Sequence, residues 1–388
     1  MNNSFSISGV PKLIFGNGKI DILPDILKSY GNNILLITGG SSLIKSGNYS
    51  RIQYILTDFN IFEAVISSEP SPDNIDSIVF DNMDKSISAV CSIGGGSVLD
   101  AGKAVSAMLK EDDFKTVADY LEGVGSRIPT GRKIPFVAVP TTSGTGSEAT
   151  KNAVISHVGK KGFKKSLRHD NYIPDIAVID PKLIINCPEN VTSASGLDAL
   201  SQLMESYIST KSSCFTDSLA LGALERVLKC LEKVCLDDPD NIELRGTIAY
   251  GAFVSGITLA HAGLGTVHGL AGVIGGYTKI PHGAICGLLL PHWFGVTVDK
   301  MLQDKKFYRD KIIKLERLSE YALPLEKHSI KNLVIYIQEL SDKLKLHKLS
   351  SYGVTERDLK LFAEKGGNKN NPVELNAEER LGILEKAY

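Results

Sequence analysis

Between Asn33 and Pro181 short apolar runs alternate with amphipathic stretches; the runs are NILLIT, NIFEAVISS, SAVCSIGGG, PFVAVPTT and DIAVIDP. Runs of this length bounded by Gly, Pro or Ser predict strands buried on both faces, and the stretches between them suit crossover helices. After Pro188 the period changes to that of helices, as in CFTDSLALGALERVLKCLEKV, SIKNLVIYIQELSDKLKL and TERDLKLFAEKG. Asn376 followed three residues later by Glu379 predicts the cap of a closing helix before LGILEKAY. The pattern therefore predicts an α/β domain with a mainly parallel sheet over residues 1–187 and an all-α domain over 188–388.

Composition agrees with that division. A chain of 388 residues exceeds one ordinary core, and 43% hydrophobic with 22% charged residues and 36 glycines is the profile of a globular protein rich in βα turns. Lys+Arg 43 against Asp+Glu 44 leaves a formal charge of −1, so no long-range field attracts a nucleic-acid backbone or an anionic membrane. Six cysteines without a C-x-x-C pair indicate neither a disulfide framework nor a thiolate zinc site, and read as reduced core thiols in a cytoplasm. The N-terminus lacks a secretory pattern and no run reaches the ~18 apolar residues of a spanning helix. The expected protein is cytoplasmic and homodimeric, with a small-molecule substrate.

Two glycine-rich turns carry the first candidate chemistry. SIGGGSVLDAGKAVSAML places Gly94, Gly95, Gly96 and Ser97 between a strand and a helix, where bare backbone amides and the positive end of the helix dipole can hold a pyrophosphate. VPTTSGTGSEAT follows the next strand and offers Thr141, Thr142 and Ser147 around further glycines. Two such loops after neighbouring strands favour a dinucleotide at the carboxyl ends of the sheet over two idle turns. The turn after ILLIT presents Gly39, Ser41, Ser42 and Lys45 and nothing acidic to repel a 2′-phosphate, so NADP(H) is expected over NAD(H).

The second candidate lies in the helical half. GLDALSQLMES puts Asp198 and Gln202 one turn apart on one face, and four of the eight histidines fall between 261 and 292. His268 and His282 sit beside glycines in apolar surroundings, where an imidazole needs a partner to be worth burying. Asp198, Gln202, His268 and His282 could converge on one ion or on one substrate hydroxyl, with the amide oxygen a weak fourth ligand.

Taken together, GGGSVLDAGKA, PTTSGTGSEAT, GLDAL, AGLGTVHG, PHGAICGLLLPH and the ending ILEKAY resemble, in order and spacing, the iron-containing (group III) alcohol dehydrogenases over essentially the whole chain. The resemblance implies a Rossmann-like domain binding NAD(P), a helical domain of the dehydroquinate synthase-like type, and a metal in the cleft between them that orients an alcohol or aldehyde for hydride transfer. It makes Gly94, Gly95, Gly96 and Ser97 the pyrophosphate loop with Asp100 behind it, has Thr141, Thr142 and Ser147 line the cofactor, and places Lys164 near the nucleotide.

The family's ligands are an Asp and three His, of which Asp198, His268 and His282 match while Gln202 holds the remaining position. Many members carry a further histidine, often proposed as a proton relay, where this chain has Gly272. His261 stands where asparagine is usual and could supply a proton. These departures imply a weakened site for Fe²⁺ or Zn²⁺. Two rival readings are a non-redox cyclase on the same scaffold, which the apolar GLAGVIGG segment disfavours, and a dinucleotide-binding protein that has lost catalysis.

Overall fold

The computed structural model describes residues 4–160 and 162–388. The chain forms two compact units, one of residues 8–157 and 164–187, the other of the rest; residues 4–7 and 158–163 thus join the helical unit and not the α/β one.

The α/β unit carries strands β1 (Lys12–Phe15), β2 (Asn33–Gly39), β3 (Asn60–Ile66), β4 (Ala89–Gly94), β5 (Phe136–Pro140), β6 (Asn152–His157), β7 (Phe163–Arg168) and β8 (Ile176–Ile179). Six of them form a sheet in the order β1-β8-β5-β4-β2-β3, every neighbouring pair parallel. The five apolar runs are five of these strands. β4, β5 and β8 are buried throughout, as the unbroken runs predict. NIFEAVISS is the exception: it forms the edge strand β3 and leaves Asn60, Glu63 and Val65 exposed. The edge strand β1 and the β6–β7 pair were not legible, because KLIF is four residues with one partner and mostly exposed.

Helices α1 (Leu23–Lys28), α2 (Ser42–Lys45), α3 (Asn48–Ile55), α4 (Pro72–Asn82) and α5 (Gly96–Met108) connect the strands. Leu23, Leu27 and Ile52 pack with Ile34, Leu36, Cys91, Ile93, Val137 and Val139 in one apolar layer. On the other face α5 approaches so closely that a Cβ on Gly102 would fall 1.9 Å from Ser92 Oγ. The strand order reverses between β2 and β4, and in open α/β sheets the crevice at the carboxyl ends of such a pair receives ligands.

Every regular element after Pro188 is helical: α6 (Glu189–Ile208), α7 (Cys214–Glu232), α8 (Ile242–Ala262), α9 (Thr266–Tyr277), α10 (His282–Gln303), α11 (Arg309–Ala322), α12 (Ile330–Lys343), α13 (Glu356–Lys365) and α14 (Ala377–Ala387), with short 3₁₀ and π turns between. Asn376 and Glu379 form the expected reciprocal cap of α14. Helix α6 is the axis of this unit and is buried from Gly196 to Ile208. Two of its serines are satisfied inside the helix, Ser201 Oγ donating to Leu197 O at 2.7 Å and Ser206 Oγ to Leu203 O at 3.1 Å, which lets those hydroxyls be buried at little cost. Leu197, Leu200, Leu203 and Met204 then pack with Val227, Leu231, Ile285, Leu289 and Trp293. Small residues set the helix spacing: a Cβ on Gly287 would stand 2.9 Å from Leu197 Cβ. Among the described residues no single helix is long and apolar enough to cross a membrane; α8 and α9 pass that test only jointly and are bent by 100°.

Candidate metal and cofactor sites

In the α/β unit three turns stand side by side at the carboxyl ends of β2, β4 and β5. The β4 and β5 turns are tied directly, Thr141 N–H donating to Gly94 O at 2.9 Å. The glycines are required there by packing, since none of Gly94, Gly95 and Gly96 has positive φ. A Cβ on Gly94 would meet Val98 at 2.6 Å, one on Gly95 would press on Thr142 at 3.3 Å, and one on Gly96 would meet Thr145 Oγ1 at 2.5 Å. Helix α5 begins at this point without a side-chain cap and without an acidic residue in its first turn. Its first N–H groups and dipole are thereby left to an anion.

Asp100, one turn into α5, is buried and bridges the loops, accepting from Ser147 Oγ at 2.5 Å and from Val154 N–H at 3.1 Å. Beneath them lies Lys103, fully buried, whose Nζ donates to Ser147 O (2.8 Å), Ser147 Oγ (3.1 Å), Thr150 Oγ1 (2.9 Å) and Asn152 O (2.8 Å). Burial drives the Lys103 pKa down to about 8, against the pull of Asp100 and Glu148, and drives Glu148 up to about 7. Sequence reasoning missed Lys103. A lysine in the middle of an otherwise small and apolar helix, GSVLDAGKAVSAM, was the available signal.

Thr141 and Thr142 are half-buried at the mouth of the β5 loop, and Ser41 and Ser42 are exposed after Gly39. Ser143 Oγ is buried in the same loop with no hydrogen-bond partner among the described residues. A buried hydroxyl costs free energy until it is paired, so this loop fits a ligand that supplies a polar group. Lys164 on β7 pairs with Glu69, whose other oxygen accepts from Ser156 Oγ at 2.7 Å.

In the helical unit α6, α9 and α10 bring Asp198, His268, His282 and Cys286 together, with one ligand atom of each lying within 4.8 Å of all the others. His268 Nε2 stands 3.3 Å and His282 Nε2 4.0 Å from Asp198 Oδ1; Cys286 Sγ stands 3.6 Å and 3.7 Å from the same two nitrogens. Asp198, His268 and Cys286 are buried and His282 is half-buried. His282 and Cys286 are one turn apart on α10, so a single helix face supplies both. All six cysteines are free, but only Cys91, Cys235 and Cys286 are buried core thiols; Cys187 and Cys230 are half-buried, Cys214 is exposed, and Cys286 also belongs to this cluster.

Glu205, two turns after Asp198, was also missed. Its side chain is wholly buried, with Oε2 2.6 Å from His268 Nδ1 and Oε1 accepting from Val267 N–H at 2.7 Å. A carboxylate on Nδ1 fixes the ring and presents Nε2 to the cluster, the usual outer partner of a metal-binding imidazole. The spacing DALSQLME puts Asp198 and Glu205 on one face, and that was its only trace in the sequence.

Burial disfavours ionisation of Asp198, but the charges of His282 and His268 and hydrogen bonds from His268 and Cys286 hold its carboxyl down at about 2. For His268 burial acts downward, and Cys286, Glu205 and Asp198 outweigh it and raise the imidazole well above its ordinary value. Burial pushes the Cys286 thiol up to about 12. The ionised Asp198 and the buried carboxyl of Glu205 beside two imidazoles form a polar pocket suited to a cation.

Gln202 is buried one turn after Asp198, and its Oε1 accepts from Ser255 Oγ on α8 at 3.2 Å. His261 lies outside the cluster. It ends α8 with Nδ1 2.8 Å from Ile257 O and its ring edge-on to Phe215, a helix-end arrangement.

Residues 11–181 match the sequence profile described as iron-containing alcohol dehydrogenase, and residues 192–388 match that of the Fe-containing alcohol dehydrogenase family, C-terminal. The chain is 30% identical to alcohol dehydrogenase 4 of Saccharomyces cerevisiae, with 97% of each covered. It is 27% identical to NADH-dependent butanol dehydrogenase A of Clostridium acetobutylicum, covering 99% of this chain and 100% of that one. Among solved structures, 1,3-propanediol oxidoreductase superposes with a TM-score of 0.85 at 25% identity over the whole of both chains. Both profiles, the full-length relatives and the order of the two glycine turns and the Asp–His–His cluster agree: this chain belongs to the iron-containing alcohol dehydrogenase family.

Proposed function

We propose that this alcohol dehydrogenase moves a hydride between the nicotinamide of NADP(H) and a small or medium aliphatic alcohol or aldehyde, with a divalent metal beside the substrate oxygen. The convergence of Asp198, His268 and His282 carries the reading. An anionic carboxylate and two imidazoles suit a divalent ion, so the residues present fit the metal that the family implies. When bound, that metal supplies a positive charge that favours the alkoxide form during oxidation and polarises the carbonyl during reduction.

The chain's own residues do the rest. Glu205 accepts the Nδ1 proton of His268, so that Nε2 is the nitrogen that gives up its proton to an incoming cation. The amides at the start of α5 take the pyrophosphate, the unpaired Ser143 hydroxyl and Thr141 and Thr142 take polar groups of the cofactor, and Asp100 and Lys103 keep the two loops in register. Gly39, Ser41 and Ser42 receive the adenosine end. The preference for NADP(H) rests on this chain's lack of an acid after β2, with Lys45 exposed nearby, and not on relatives, one of which is named for NADH. Val10, Leu13 and Phe15 are exposed on or beside the edge strand β1, which supports a homodimer that covers this edge, and six free thiols support a reducing, cytoplasmic setting.

The test is nicotinamide absorbance during turnover with a panel of linear alcohols and aldehydes, with either cofactor and with added Fe²⁺ or Zn²⁺. Metal-dependent turnover with a lower KM for NADPH than for NADH is expected. Tight cofactor binding without turnover on any substrate would overturn the catalytic reading, and equal KM values would overturn the cofactor preference alone.

A further inference from the structure

The carboxylate and two imidazoles leave one corner of their polyhedron to be supplied, and two side chains compete for it. Gln202 has the position in sequence, but its amide oxygen is directed to Ser255 Oγ at 3.2 Å. Cys286 has the position in space, with Sγ 3.6 Å from His268 Nε2 and 3.7 Å from His282 Nε2. From the usual bond lengths to nitrogen, oxygen and sulfur, a tetrahedral zinc has N···S edges of about 3.6 Å and N···O edges of about 3.4 Å. The two sulfur edges agree with the first value, and the oxygen edges of 3.3 and 4.0 Å bracket the second.

The i, i+4 placement of His282 and Cys286 also needs no backbone rearrangement, because both already project from the first turns of α10.

We propose that Cys286 Sγ is the fourth protein ligand of this site in place of Gln202, giving an Asp198–His268–His282–Cys286 set that favours Zn²⁺ over Fe²⁺. The inference rests on the metal reading above and concerns only this chain's departure from the family pattern. Binding exchanges the S–H proton for a metal–sulfur bond; the thiol is deprotonated, its proton leaves to solvent, and nothing is oxidised or reduced. Thiolate is the softer donor and suits zinc better than a carbonyl oxygen does; a substrate oxygen would then enter as a fifth ligand, an expansion that catalytic zinc sites undergo.

The experiment is cobalt(II) titration of the full-length apo-protein, followed by absorbance, on the wild type and on Cys286→Ser, Cys286→Ala and Gln202→Ala. Expected is one equivalent of Co²⁺ with tetrahedral d–d bands and a sulfur-to-cobalt charge-transfer band in the near ultraviolet. Gln202→Ala keeps that band; both Cys286 variants lose it. In chelator competition with Zn²⁺, the Cys286 variants lose more affinity than the ~10–100-fold that removal of an outer partner costs.

The wild-type spectrum decides first, so a misfolded variant does not obscure the outcome. One bound Co²⁺ without the charge-transfer band overturns the Cys286 assignment and leaves the metal reading intact. Retention of the band in Cys286→Ser also overturns it, by assigning the band to another thiol. Absence of any bound Co²⁺ or Zn²⁺ overturns both.

Discussion

Replacement of Glu205 by glutamine tests whether the outer carboxylate sets the chemistry of the cluster. The exchange keeps shape and volume and alters only charge and donor pattern. In the native chain one oxygen accepts from Val267 N–H at 2.7 Å and the other meets His268 Nδ1 at 2.6 Å. An amide has one oxygen for two donors. If that oxygen stays on Val267, the NH₂ group faces Nδ1, the imidazole proton moves to Nε2, and the nitrogen 3.3 Å from Asp198 no longer offers a lone pair. If the amide flips, its NH₂ opposes the Val267 N–H and leaves a buried donor unpaired, at a cost of about 1–3 kcal/mol. Either way Glu205→Gln should weaken Zn²⁺ or Co²⁺ binding by ~10–100-fold, which is about 1.4–2.7 kcal/mol. The assay is chelator competition on wild type and variant, with thermal unfolding of both apo-proteins alongside. Unchanged metal affinity in a folded variant refutes the argument, because the only groups altered are those that fix the tautomer of His268.

Further outcomes follow from other particular residues. Gly272→His should fold with at least wild-type Tm, since nothing lies within 4 Å of the added Cβ and leaving glycine in a helix interior is mildly favourable. Its turnover should rise by no more than the ~10²–10⁴-fold of a positioned acid, and steady-state kinetics showing no rise would remove the relay idea. Lys103→Met should destabilise the chain by about 3–5 kcal/mol in denaturant titration, as loss of one partner in a buried ionic network does, because Nζ serves three acceptors of the β5 loop and one at the start of β6 and stands 3.9 Å from Asp100; an unchanged midpoint would contradict it. Glu148, raised by burial from 4.5 to about 7, holds its proton more tightly in the folded than in the unfolded chain, so it makes stability fall as pH rises between those values. Lys103, lowered by burial from 10.5 to about 8, makes stability rise again between about 8 and 10.5. Glu148→Gln should shrink the fall, leaving the part that Asp100, also raised by burial, contributes, and keep the rise, as chemical denaturation across that pH range can check.

The chain's own order of residues determined the class of each half, because burial on both faces writes unbroken runs such as SAVCSIGG and because helices such as Ile330–Lys343 carry one apolar face each. It also determined both glycine turns and named three of the four side chains that converge as a candidate metal site, since a close backbone approach requires glycine and a buried imidazole requires company. What it could not determine was strand order, edge position and convergence. NIFEAVISS reads like a central strand, and only its place at the end of β1-β8-β5-β4-β2-β3 makes it half-exposed. Cys286 reads like any apolar core thiol, and Gln202 like a ligand one turn from Asp198. Packing of α6 against α8 and α10 turned the amide to Ser255 and brought the sulfur beside His268 and His282. Distances between residues far apart along a chain are properties of packed helices, so spacing in the sequence names the candidates and tertiary contact chooses among them.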